Sequence, residues 1–161
     1  SGLTVRLCFV DGEQRVLLNG EDVSEQIRTP EVSMGASAVA ALPCVREFLF
    51  EQQRRIAREK NCIMDGRDIG TVVLPDAQVK VFLTASAEER ARRRYRELLE
   101  KGEDVLFEEV LRDVQERDYN DSHRAVAPLK QAEDAVLLDT TGITLEESVS
   151  RLIQCIKERS Q

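Results

Sequence analysis

Three stretches of this sequence carry side chains whose types and spacing could do chemistry. The first is Gly66-Arg67-Asp68-Ile69-Gly70-Thr71, preceded by the apolar residues 62–64 and by Asp65. A carboxylate such as Asp65 at a strand end can organise a magnesium ion, and the planar fork of Arg67 matches phosphate oxygens. Ligands of open α/β sheets bind beyond the carboxyl ends of strands, which is where this loop would stand. An ordinary glycine-rich turn with a solvated ion pair accounts for the same six residues about equally well. The second stretch is Arg90, Arg92, Arg93, Arg94 and Arg96 on one predicted helix. These cations could close over a transferred phosphate. They also fit a solvated helix face laced with Glu88, Glu89 and Glu97. Arg90 and Arg94 are a turn apart and Arg93 faces elsewhere, so two at most can serve one ligand. The third is Glu116-Arg117-Asp118-Tyr119-Asn120-Asp121-Ser122-His123-Arg124. Its alternating signs suit structural ion pairs, and equally a ribose hydroxyl and a phosphate. His123 has no nucleophilic partner in the pattern and reads as a surface histidine.

The elements that must position these residues can be read from periodicity. Val5, Leu7 and Phe9 alternate with Arg6 and Cys8, and Asp11-Gly12 and Asn19-Gly20 are turn signals. This predicts a small antiparallel meander. From Glu31 the pattern is helical, with Val32, Ala36, Val39 and Ala40 on one face. Pro43 opens a second helix whose stripe is Val45, Phe48, Leu49 and Ile56, with Arg54, Arg55 and Arg58 suited to its C-terminal end. Residues 62–65 and 79–83 read as short buried strands, with 66–71 a loop between them. Ser86 with Glu89 caps a helix that Gly102 ends, and a further helix covers 106–118. Residues 120–130 read as loop and 135–138 as a third strand. Thr144 with Glu147 caps the last helix. Strands alternating with helices imply an α/β fold with a parallel sheet, its strands covered on both faces.

The totals exclude several classes. The chain has 161 residues, 23 basic and 30 acidic, for a formal net charge of −7. A general nucleic-acid binder needs the opposite balance, and with no Trp and 4% aromatics there is little for bases to stack on. No apolar run reaches the roughly 18 residues of a membrane span, and the N-terminal residues do not read as a signal peptide. Cys8, Cys44, Cys62 and Cys155 are scattered and there is a single His, so zinc ligation is not expected. They read as reduced structural thiols.

Asp65-Gly66-Arg67-Asp68-Ile69-Gly70-Thr71-Val72-Val73, followed by Pro75-Asp76-Ala77, closely resembles the stretch after the third strand of bacterial cytidylate kinases. Glu116-Arg117-Asp118 with Arg124-Ala125-Val126-Ala127-Pro128-Leu129 resembles their lid-to-core segment. Gly20-Glu21-Asp22-Val23-Ser24 with Ile27-Arg28-Thr29 resembles their monophosphate-binding insert, and Pro43 with Val45-Arg46-Glu47 the helix after it. The resemblance runs along essentially the whole chain in order. It implies part of the P-loop nucleoside monophosphate kinase fold: a parallel sheet flanked by helices, a small antiparallel β plus helical insert, and a helical lid. Residues 1–60 would be the insert, 61–85 and 130–161 the core, and 86–129 the lid. The implied activity is transfer of the γ-phosphoryl group of ATP, with Mg2+, to CMP or dCMP in the cytoplasm. No metal site on the protein alone and no nucleic-acid or membrane partner are implied.

The resemblance also assigns roles. Ser37, Arg46 and Asp68 would read the cytosine edge, where uracil's opposite donor and acceptor pattern would leave groups unpaired. Arg67 and Arg117 would hold the monophosphate's phosphate and Asp121 its ribose. Arg93, Arg94 and Arg124, with Asp65, would serve the phosphoryl group in flight. The family's phosphate loop has the form G-x-x-x-x-G-K-[ST], and no Gly-Lys pair occurs here. The expectation is therefore a chain lacking that loop and the first core strands, inactive by itself, with open sheet edges through which it associates. The alternative is a non-catalytic fragment that binds nucleoside monophosphates.

Overall fold

The turn signals of the first twenty residues close an antiparallel meander in the computed structural model, which describes residues 2–40 and 42–160, the side chains of 30, 33, 34 and 37 excepted. Strands β1 (Val5–Val10), β2 (Glu13–Leu18) and β3 (Glu21–Asp22) form one three-stranded sheet in that order. The β1–β2 register pairs Val5 with Leu18 and Val10 with Glu13. It is set by the tight turn at Asp11 and Gly12, both at positive φ (53° and 82°). Only residues tolerant of the left-handed region make that turn without strain. A short 3-10 turn (Gln26–Arg28) leads to helices α1 (Pro30–Ala40) and α2 (Pro43–Glu59).

After α2 comes a single π-type turn, Ile69–Val73. Then follow β4 (Val81–Thr84), α3 (Ala87–Glu100), α4 (Phe107–His123), β5 (Val136–Asp139) and α5 (Leu145–Arg159). Strands β4 and β5 pair in parallel, Val81 opposite Val136 and Thr84 opposite Asp139, with the two helices α3 and α4 as the crossover. This is an α/β arrangement consistent with a nucleoside monophosphate kinase fold. The chain divides into two compact units within α2, the first ending at Glu51 and the second starting at Gln52.

The core of the second unit lies between α3 and α4. Ala91, Leu98 and Val110 are buried there, with Tyr95, Val105, Phe107, Leu111 and Val114 packed against them. Tyr95 meets Phe107 edge to face at 5.9 Å, a favoured aromatic geometry. The predicted caps are in place: the Ser86 hydroxyl accepts from the Glu89 amide at 3.1 Å, and Thr144 accepts from the Glu147 amide at 3.2 Å.

Several sequence expectations are corrected. Residues 62–65 do not form a buried strand: Ile63 is 90% exposed. A strand exists only through its ladder, and no described strand pairs with this run. Strands β4 and β5 are not covered on both faces, since Leu83 and Leu137 are exposed. The apolar stripes of α1 and α2 are exposed at Val32, Val39, Phe48, Leu49 and Ile56. Residues 120–123 are not loop but the last turn of α4. Residues 69–73 are a helical turn instead of open loop. All four cysteines are free, with Cys44 and Cys62 exposed. No helix among the described residues is long and apolar enough to cross a membrane.

Candidate active site

The extension of α4 to His123 aligns what the sequence left as loop. Arg117 and Asp121 are four residues apart, so they lie on one helical face, and Arg124 follows at the helix end. Asp121 is buried, with 7% exposure. Arg67 reaches it across the loop after α2, donating from Nε to Asp121 Oδ2 at 2.5 Å. Arg67 itself keeps 43% of its side chain exposed. A charge-assisted bond of this kind fixes one side of the guanidinium.

Beside it, Arg124 Nη2 lies 3.4 Å from Asp68 Oδ1. That contact is an ion pair without hydrogen-bond geometry, and this buried Nη2 makes no hydrogen bond. Arg124 is held by its Nε, which donates to the carbonyl of Ala127 at 2.5 Å. Two cations and two carboxylates from two segments, residues 67–68 and 121–124, therefore meet at one place in the second unit. Asp65 is exposed just before them. The described residues contain no group of three metal-ligating side chains.

The loop that carries Arg67 and Asp68 is built by its own backbone. The Asp68 carbonyl accepts from the amides of Val72 (2.9 Å) and Val73 (3.2 Å), and the Ile69 carbonyl from Leu74 (2.7 Å). The bonds to Val73 and Leu74 span five residues, the pattern of a π turn, which in other proteins often marks a functional site. Val73 is 2% exposed and anchors the far end of the turn in the core. Gly66 packs closely at its start: a Cβ there would come within 2.9 Å of Ile69 Cγ1, so the Ile69 side chain would have to shift. Lys80 flanks the turn, its aliphatic stem 3.4 Å from where a Cβ of Gly70 would stand. Its ammonium donates to the Pro75 carbonyl and, at 2.8 Å, to Asp134. That bond holds the Asp134 carboxyl below the usual carboxylate range.

The arginines of α3 are separated by their partners. Arg90 makes a fork-to-fork pair with Asp118 of α4 (2.8 and 2.6 Å) and donates to the Ala85 carbonyl. Arg92 pairs with Glu88 on the exposed helix face. Arg93 donates to Glu89 (3.0 Å), to the Thr140 hydroxyl (3.3 Å) and to the Thr140 carbonyl (2.7 Å). Arg94 pairs with Glu97 at 3.2 Å. Arg117 is exposed. Arg46 lies in the first unit, buried, over the ring of Phe50 (4.9 Å) and donating to the Ala40 carbonyl. The side chain of Ser37 lies outside the described residues.

The cytidylate kinase family model matches residues 3–158. The chain belongs to the cytidylate kinase family. It is 56% identical over 150 residues to the cytidylate kinase of Carboxydothermus hydrogenoformans, covering 93% of this chain and 68% of that protein. The cytidylate kinase of Caldanaerobacter subterraneus subsp. tengcongensis is 57% identical over 152 residues (94% and 67%), and that of Pasteurella multocida 51% over 158 (98% and 70%). Membership makes this a phosphotransferase family chain.

The sequence reading missed Arg54, which it assigned to the C-terminal end of α2. Arg54 instead donates to the carbonyls of Val73 and Val72, at 3.0 and 2.9 Å. Nothing local in the sequence distinguishes it from Arg55, which pairs with Gln52 on the surface. The pairing of Arg90 with Asp118 was equally hidden among the charges of two helices.

Proposed function

We propose that this chain binds CMP or dCMP as phosphoryl acceptor, with ATP as donor, and that residues 67–68 and 117–124 form the monophosphate end of that site. The observation that carries the reading is the Arg67–Asp121 pair beside the Arg124–Asp68 pair. A guanidinium anchored at Nε on a half-exposed side chain suits a phosphate, and a neighbouring carboxylate suits a ribose hydroxyl or an exocyclic amine. Arg67 and Arg117 would take the phosphate and Asp121 the ribose. Asp68 would read the base, the role the resemblance also gives Ser37 and Arg46.

Phosphoryl transfer asks the protein for position and charge more than for covalent chemistry. Arg93, Arg94 and Arg124 would balance the charge that develops on the group in flight. Magnesium with ATP would neutralise the donor's phosphates, and Asp65, an exposed carboxylate ahead of the loop that carries Arg67, has the hard oxygen donor this ion prefers. Arg93 would first have to leave Thr140, and Arg94 leave Glu97. The 161 residues contain no G-x-x-x-x-G-K-[ST] run, so we expect them to bind the monophosphate and to transfer slowly by themselves.

The test is CMP affinity by calorimetry. Arg67→Ala should weaken binding by ~1.5–3 kcal/mol, the range for hydrogen bonds to a charged group. An unchanged affinity removes Arg67 from the phosphate site. A coupled assay with ATP and CMP measures transfer separately.

A further inference from the structure

We propose that Arg54 is a positioning residue for the monophosphate loop, acting through the backbone of the π turn; this rests on the reading that Arg67 and Asp68 hold the nucleotide. A helical turn ends with unsatisfied carbonyls and a partial negative charge. Here the turn is a single one, so it cannot share that burden along its length. Arg54 meets it with one edge of its guanidinium, Nε donating to the Val73 carbonyl and Nη2 to the Val72 carbonyl.

The peptides that carry those carbonyls, Val72–Val73 and Val73–Leu74, also hold the other end of the turn through their N–H groups. The Val73 amide donates to the carbonyl of Asp68 and the Leu74 amide to that of Ile69. A continuous chain of hydrogen bonds therefore runs from Arg54, through the Val72–Val73 peptide, to the carbonyl of the residue that would read the base, and through the next peptide to the carbonyl of Ile69. Asp68 is bonded directly to Arg67 in sequence, so freeing residues 72–73 frees both side chains that face Asp121 and Arg124. Lys80 flanks Gly70 from another direction but donates to none of the turn's own carbonyls. Arg54 thus does for this turn what a C-cap does for a longer helix, at a distance in sequence of 18 and 19 residues.

The test uses the full chain with Arg54→Met, which keeps the stem and removes both donors, and Arg54→Lys, which keeps charge and one donor at a time. Amide hydrogen exchange at Val72, Val73 and Leu74 should quicken at least about tenfold in Arg54→Met, with Lys intermediate and α5 amides unchanged. CMP affinity should fall in step, by about tenfold. Unchanged exchange in this turn overturns the proposal. Faster exchange with undiminished CMP affinity also overturns it, leaving Arg54 a structural cap, provided Asp68→Asn does weaken CMP binding. If Asp68→Asn leaves CMP affinity intact, the site reading fails, and the exchange result still decides whether Arg54 braces the turn.

Discussion

Removing Arg67 should destabilise the second unit, and removing the charge of Asp121 in the same chain should restore part of the loss. The pair is asymmetric: the Asp121 side chain is 10% exposed and that of Arg67 43%. Arg67→Ala therefore strands a nearly buried carboxylate, while Asp121→Asn leaves a guanidinium that water can reach. Two unit charges about 4 Å apart attract by ~4 kcal/mol at an effective dielectric of ~20, before desolvation and side-chain entropy are subtracted. Exposed pairs net ~0–1 kcal/mol, whereas breaking a buried pair from one side costs ~3–5. With one partner buried and the other nearly half in water, Arg67→Ala should cost ~1–2 kcal/mol. Asp121→Asn in that background should recover up to about 1 kcal/mol. The assay is urea unfolding of the four proteins in the double-mutant cycle. Effects that add within ~0.3 kcal/mol would refute the reasoning, because independent sites behave that way.

Two further outcomes follow from the geometry. Gly66→Ala should lower stability by ~1–3 kcal/mol, since the new methyl meets Ile69 Cγ1 at 2.9 Å and the turn behind it is braced; an unchanged urea midpoint would mean that Ile69 moves aside freely. In the first unit, the Ser24 hydroxyl and then its amide donate to Asp22, at 2.5 and 2.9 Å, and hold that carboxyl below the usual range. The folded value being depressed, this contribution is full above the unfolded value of about 4 and is lost as pH falls through the folded one. Ser24→Ala should move the Asp22 titration upward by NMR, and a titration that stays put would count against the hydroxyl as its cause.

Much of the frame was legible because its causes are local. Turn signals at Asp11-Gly12 and Asn19-Gly20 announced the meander, and Ser86 and Thr144 announced two helix starts, since caps and turns depend on residues within a few positions. The order of motifs from Gly20 to Leu129 carried the family resemblance, which the match over residues 3–158 bears out. The strand expected at 62–65 was not decided by its own apolar run, because a strand needs a partner that no local pattern supplies. The end of α4 was misjudged because Asn120, Asp121 and Ser122 are poor helix formers in isolation. In the structure the helix continues through them, and Asp121 at its last turn is tied to Arg67.

The sequence by itself determined which residue types were available to hold a phosphate and in what order they come along the chain. Which charge meets which was decided by the tertiary structure. With 23 basic and 30 acidic residues, proximity in sequence favours the i, i+4 pairs such as Arg92 with Glu88, and these occur. The pairs that shape the candidate site join residues far apart in sequence: Arg67 with Asp121, Arg124 with Asp68, Arg90 with Asp118, Arg54 with the Val72 and Val73 carbonyls. Such contacts exist only once packing has brought distant segments within a hydrogen bond's reach and excluded enough water to make the bond matter.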